Sequence, residues 1–208
     1  VSRRGLWRHF HVNLLGLFQI TNAVTALAAI DALAEKGLKI TDKQVAEGLA
    51  AARWPGRLEV VGREPLVVLD GAHNLDGCRQ LAAALPVYFS WRRLHLIMAI
   101  TGEKPVKAML QVLLPEADTA VFTVPHSSRS APVDPSYLLQ QAQGLVEKAG
   151  TADSFAAAFE QVKSCAHPED LICICGSLYL VGEARKLLVP QADSAGIVDL
   201  GAEISKAK

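Results

Sequence analysis

Leu66-Val67-Val68-Leu69-Asp70-Gly71-Ala72-His73-Asn74-Leu75-Asp76-Gly77 is the stretch that decides the fold. A short apolar run ends on a polar turn spaced by glycines, and a helical pattern follows from Gly77 to Leu85. A continuous apolar run of this length reads as a strand buried on both faces, the property of a parallel sheet covered by helices. In such sheets ligands gather beyond the carboxyl ends of the strands. Asp70, His73, Asn74 and Asp76 therefore stand where a ligand is expected. Either Asn74 or Asp76 also suits the cap of the following helix.

Outward from this stretch the same rhythm continues. Strand-like runs at Leu58–Val61, His95–Ala99, Thr119–Thr123 and Leu171–Cys175 alternate with helical patterns. The helical patterns cover Pro105–Leu114, Pro135–Ala149, Ser154–Cys165 and Leu178–Leu188. Strand–helix alternation with short connections implies right-handed crossovers, so the expected class is α/β, a Rossmann-like and mostly parallel sheet flanked by helices. The last strand runs into Gly176-Ser177-Leu178-Tyr179, with Ser177 placed as an N-cap and therefore also at an anion-binding position. Cys-Gly-Ser-Leu-Tyr lacks the final glycine of a nucleophile elbow, so Ser177 does not read as a nucleophile.

Before Trp54 the pattern is different. Phe10–Leu14 alternates apolar and polar residues and is expected to form a strand. Gln19–Lys36 places Ala23, Leu27, Ile30, Leu33 and Ala34 at helical spacing, with Gly37 as the C-cap. Thr41 with Gln44 forms a capping box for a second helix ending near Ala52. Trp54-Pro55-Gly56 stops it, because Pro55 disfavours the helical region at Trp54, and the segment reads as a linker. Arg57, just beyond, carries a planar guanidinium suited to phosphate oxygens.

Composition narrows the class. The chain has 208 residues, half of them apolar, with Lys+Arg 21 balanced by Asp+Glu 21. That balance gives no basic field for nucleic acid or an anionic membrane, and the apolar content disfavours disorder. No apolar stretch approaches a membrane span. The four cysteines form no Cys-x-x-Cys pair, and Cys173 and Cys175 sit inside an apolar run, so a reducing, cytoplasmic setting is expected. There is no phosphate-binding Gly-x-x-x-x-Gly-Lys-Ser/Thr, no Gly-x-Gly-x-x-Gly, no His-Glu-x-x-His and no zinc-ligand spacing among the six histidines, so no metal ligands are assigned. His95 reads as structural.

Four blocks now stand in order: Leu15-Gly16-Leu17-Phe18-Gln19-Ile20-Thr21-Asn22-Ala23, Trp54-Pro55-Gly56-Arg57-Leu58-Glu59, Asp70-Gly71-Ala72-His73-Asn74, and Gly176-Ser177-Leu178-Tyr179. In that order they resemble the folylpolyglutamate synthase/dihydrofolate synthase family of the Mur ligase superfamily, over nearly all of the chain. Phe18 departs from the histidine usual before the glutamine, and Thr101-Gly102-Glu103-Lys104 matches only loosely. The resemblance implies ATP-dependent ligation of L-glutamate to dihydropteroate or to the γ-carboxylate of reduced folates through an acyl phosphate, with Mg²⁺ as the companion of ATP. It implies that Gln19 and Asn22 face adenine, and that Arg57 reaches the terminal phosphates. Asp70 would bind the nucleotide or set the domain contact, His73 would lie near the transferred phosphate and the incoming glutamate, and Ser177 and Tyr179 would place the glutamate.

The phosphate-binding loop of that family, its main metal ligands and most of its folate site lie in an N-terminal domain whose motifs this sequence lacks. The chain opens on Val1 rather than Met, so the expectation is a C-terminal portion that is inactive alone. The expected division is 1–53 as the end of the central ATPase domain, 54–64 as linker and first strand, 65–190 as the glutamate-ligase domain, and 191–208 as a loose tail. Two rival readings are a stand-alone nucleotide- or amino-acid-binding module and a portion of another Mur-type amino acid ligase.

Overall fold

The computed structural model describes residues 2–3 and 6–189; the tail 191–208 lies outside the described residues. The chain forms two compact units, one ending at Pro55 and the other beginning at Gly56. In the first, β1 (Ser2–Arg3) and β2 (Leu6–Trp7) pair antiparallel, followed by α1 (Phe18–Glu35) and α2 (Asp42–Ala51). At the C-terminus of α1, Gly37 N–H donates to Ala34 O and Leu38 N–H to Leu33 O, the paired bonds of a Schellman cap. The Thr41–Gln44 capping box is present with both reciprocal bonds. Phe10–Leu14 is not a strand. Alternation there has no neighbouring strand to pair with, and period two without a partner leaves the backbone irregular.

The second unit is a six-stranded sheet in the order β3-β4-β8-β5-β6-β7. β3 (Glu59–Arg63) pairs antiparallel with β4 (Leu66–Leu69), and every other pairing is parallel. The remaining strands are β5 (Leu94–Met98), β6 (Thr119–Phe122), β7 (Lys148–Thr151) and β8 (Leu171–Cys175). The helices are α3 (Leu75–Tyr88), α4 (Val106–Leu113), α5 (Pro135–Gln141), α6 (Phe155–Lys163) and α7 (Leu178–Leu188). The expected helix Pro135–Ala149 is thus a short helix followed by an edge strand. Gly144 interrupts the helical pattern, and Lys148–Thr151 is held extended by its pairing with β6 rather than by β-propensity.

One face of the sheet packs Val67, Leu69, Ile97, Val121, Ile172 and Ile174 against Phe155, Phe159 and Val162 of α6 and Leu180, Val181 and Ala184 of α7. The alternate strand residues, including Leu96, Met98, Phe122, Cys173 and Cys175, are buried as well. Burial on both faces is what the continuous apolar runs require. Burial pushes the Cys78 thiol up to about 12, and Cys173 with burial raises Cys175, so these thiols stay protonated and pack as small hydrophobes.

The amino ends of the parallel strands are stapled by a polar cluster. Asp170, fully buried, accepts hydrogen bonds from Arg92 Nε (3.0 Å), His95 Nε2 (3.2 Å) and His167 N–H (2.8 Å). His95 completes the bridge through Nδ1 to Thr119 Oγ1 at 2.7 Å. Burial alone would push the Asp170 carboxyl up, but the hydrogen bonds from Arg92, His167 and His95 outweigh it and hold it well below the usual carboxylate range. Asp170→Asn is expected to destabilise the chain by about 2 kcal/mol at pH 7. A depressed carboxylate contributes stability above its unfolded value near pH 4 and loses it as pH falls toward the folded value. Urea unfolding at pH 7 and below pH 4 should therefore show the gap between wild type and variant closing in acid.

Candidate active site

The strand order creates a switch point. The chain leaves β4 through α3 toward β5, and it leaves β8, the neighbour of β4, through α7 on the opposite face of the sheet. Ligands of doubly wound sheets bind in the crevice that such a reversal opens. Asp70–Asn74 and Gly176–Ser177 are the segments that emerge there. They are laced together: Asp70 N–H donates to Ile174 O at 3.0 Å, and Gly176 N–H donates to Ala72 O at 2.8 Å. Gly176 has a left-handed φ of +92°, and a methyl group at this position would collide with the carbonyl oxygen of Ala99.

Two helix N-termini rise from these adjacent strand ends. Asn74, not Asp76, caps α3, its Oδ1 accepting the Gly77 N–H at 2.8 Å. Ser177 caps α7, its Oγ accepting the Tyr179 N–H at 3.3 Å. Together they give the crevice partial positive charge, which suits an anion. Ser177 is fully buried and Tyr179 half-buried. His73 is also half-buried, and its Nδ1 lies 2.8 Å from Gly71 O. A carbonyl only accepts, so Nδ1 carries the proton and Nε2 of the neutral ring keeps its lone pair.

Asp70 ties the linker to this turn. It is 3 % exposed, its Oδ2 accepts the Leu58 N–H at 2.9 Å, and its Oδ1 accepts the Ala72 N–H at 2.8 Å. Burial raises its carboxyl pKa; the two N–H bonds and the Arg57 charge oppose this without cancelling it. Gly71 N–H donates to Gly56 O at 2.6 Å, so the 56–58 segment is bound to the turn at two points. Arg57, half-buried, stands between these anchors.

The geometry thus brings Arg57, Asp70, His73, Ser177 and Tyr179 into one region of the second unit. Gln19 and Asn22 belong to the first unit, where Asn22 Nδ2 donates to Gln19 Oε1 at 2.8 Å on α1. Sequence reasoning passed over three further polar residues of the second unit. Glu59 binds Gly56 N–H and Arg185, Glu183 accepts the His126 and Ser127 N–H groups, and the buried Thr123 hydroxyl at the end of β6 has no partner among the described residues. Glu59 stood inside a quoted block, but its role depends on a partner far along the chain. Among the described residues no group of three or more His, Cys, Asp or Glu side chains is placed to hold a metal ion, and no helix is long and apolar enough to cross a membrane.

Comparison with known proteins supplies the context. Residues 56–178 match the Mur ligase, glutamate ligase domain family. A probable bifunctional folylpolyglutamate synthase/dihydropteroate synthase of Haloferax volcanii is 38% identical over 176 residues, 84% of this chain and 20% of that protein. A dihydrofolate synthase/folylpolyglutamate synthase of Mycobacterium tuberculosis is 32% identical over 198 residues, 88% of this chain and 41% of that protein. The crystal structure of Mycobacterium tuberculosis folylpolyglutamate synthase complexed with ADP and AMPPCP superposes with a TM-score of 0.77 at 30% identity, covering 89% of this chain and 43% of that one. The chain spans between a fifth and two-fifths of the length of these relatives.

Proposed function

The chain belongs to the Mur ligase family through its glutamate ligase domain, and on that premise we propose that it forms the glutamate-adding part of an ATP-dependent folate ligase. The reaction joins L-glutamate to dihydropteroate, to the γ-carboxylate of reduced folates, or to both. The γ-phosphoryl group of ATP passes to the acceptor carboxylate, giving ADP and an acyl phosphate. The amine of glutamate attacks the acyl carbon, the C–O bond to phosphate breaks, and an amide, inorganic phosphate and a proton result. The observation that carries this reading is the crevice itself, where the N-termini of α3 and α7 rise from the adjacent ends of β4 and β8, and where the segment that carries Arg57 is hydrogen-bonded to the turn that carries His73.

Each residue receives a role that fits its chemistry. Arg57 supplies a planar cation for the terminal phosphates, whose charge spreads over equatorial oxygens during transfer. His73 would stand near the transferred phosphate and the incoming glutamate, where Nε2 could take a proton from the glutamate ammonium and so free the amine that attacks. The N-terminus of α7, capped by Ser177 and followed by Tyr179, favours the glutamate carboxylate. Asp70 fixes the linker against the crevice and keeps lone pairs for the nucleotide. Gln19 and Asn22 on α1 offer amide groups of the kind that read adenine. Mg²⁺ would accompany the nucleotide, but the described residues provide no cluster to hold it, so no step is assigned to it here.

The phosphate-binding loop is assigned to a separate ATPase domain, with residues 1–53 as its end and 65–190 as the ligase domain. An apolar stripe supports that partner: Leu17, Ile20 and Val24 stand on one side of α1 and are 64%, 60% and 43% exposed. The four free cysteines suit a reducing compartment, the cytoplasm. Glutamate ligation should be measured with ATP, using dihydropteroate and a reduced folate separately, for this chain alone and for the chain joined to its ATPase domain. Product is expected only from the joined protein. Product from the chain alone, or none from the joined protein with either acceptor, would overturn the proposal.

A further inference from the structure

Arg57 is flanked by two residues in left-handed backbone, Gly56 at φ +73° and Leu58 at φ +46°. For leucine that conformation is strained, and strain of this kind persists only where the surroundings over-determine it. Three anchors do so. The Leu58 N–H is held by Asp70 Oδ2 at 2.9 Å, with the Leu58 side chain 1% exposed. The Gly56 carbonyl accepts from Gly71 N–H. The Gly56 N–H donates to Glu59 Oε2 at 2.7 Å.

The third anchor has a support of its own. Arg185 Nε, in the last turn of α7, lies 3.0 Å from Glu59 Oε1 and 3.1 Å from Oε2. The Glu59 side chain is 8% exposed, so its carboxylate depends on this counter-charge to remain where it can accept from Gly56. One helical turn earlier, Val181 of α7 packs so close to Gly56 that a side chain there would collide with its Cγ1. α7 therefore grips the segment twice, by shape at Val181 and by charge at Arg185.

We infer that Arg185 is a positioning residue for Arg57, acting through Glu59 and the Gly56 N–H; this rests on the reading of Arg57 as a phosphate contact. A residue with no contact to substrate thereby sets the aim of one that has it. Loss of Arg185 frees the Glu59 carboxylate to turn toward water, leaves the Gly56 N–H without its acceptor, and loosens the backbone on one side of Arg57.

The test uses the ligase joined to its ATPase domain. Arg185→Met, which keeps the apolar stem and removes the charge, is expected to raise the KM for ATP about tenfold, the size of coupling seen between residues of one hydrogen-bonded network. The KM for glutamate should change little, and Arg185→Lys should recover part of the loss. In an Arg57→Ala background, Arg185→Met should cause no further loss, since its effect is routed through Arg57. In the 208-residue chain itself, the same substitution should speed amide exchange at Gly56 while leaving Val68 in the sheet unchanged. Unchanged ATP kinetics and Gly56 exchange in Arg185→Met, or losses from the two substitutions that simply multiply, would overturn the inference. Arg57→Ala with wild-type ATP kinetics would overturn instead the reading beneath it, and the exchange measurement would still decide whether Arg185 holds the segment.

Discussion

Gly176→Ala is expected to destabilise the chain by about 3 kcal/mol, enough to lower its urea midpoint by more than about 1 M. Two effects add. The residue has φ +92°, a conformation that costs an L-residue on the order of 1–2 kcal/mol. The new methyl would also point into the Ala99 carbonyl oxygen, which belongs to the backbone and is fixed by the sheet, so either β5 or the start of α7 must shift. Because Gly176 N–H and Ala72 O join the two strand ends, that shift reaches the Asp70–Asn74 turn. Gly182→Ala, inside the helix that follows, is the control: the position is exposed, its new methyl meets nothing within 4 Å, and it should stabilise by roughly 0.5–1 kcal/mol. Equal midpoints for both variants would mean that the strand-end lacing does not constrain the crevice.

The largest effect on catalysis is expected at Arg57. In the joined ligase, Arg57→Ala should lower kcat/KM for ATP by about 10³-fold, the scale set by removing a preorganised donor from a transferring phosphoryl group. Arg57→Lys should restore only a small part, because an ammonium cannot reproduce two parallel N–H bonds from a fixed fork. Urea unfolding of the same variants separates the effect from stability; the Gly56 and Leu58 N–H groups are held by the Glu59 and Asp70 carboxylates. A drop in kcat/KM of less than about tenfold, with folding intact, would remove Arg57 from the reaction.

Much of the fold could be read locally. Leu66–Leu69, Leu171–Cys175 and Leu178–Leu188 have the bounds that the apolar runs indicate, because every residue of these two strands is apolar and α7 starts at a side-chain cap. The Thr41–Gln44 box is equally local, a matter of three-residue spacing. β7 was not legible, since Lys148-Ala149-Gly150-Thr151 carries no strand signal and is extended only because β6 lies beside it. The Phe10–Leu14 alternation failed for the converse reason, a local pattern with no partner. The same division runs through the site. That Asp70, His73 and Ser177 would stand together at strand ends was legible because each closely follows an apolar run, and the structure places them at the ends of β4 and β8. The use of Asp70 to fix Leu58 N–H, and of Arg185 to hold Glu59, joins residues too far apart in the chain for spacing to disclose.

The position of β8 has a consequence for the order in which the protein comes together. It is the last strand among the described residues, yet it lies between β4 and β5 and pairs with both. During synthesis, the β3–β4 hairpin and the β5–β6–β7 ribbon emerge first, each ending in an unpaired, apolar parallel edge. Only when Leu171–Cys175 arrives can the two halves close into one sheet, a pairing of high sequence separation and correspondingly slow. Until then both edges are open templates for other chains, so nascent chains of this unit are most exposed to misassembly in the interval before their final strand appears. The same closure brings β4 and β8 side by side, so the crevice comes into being with the last step of folding.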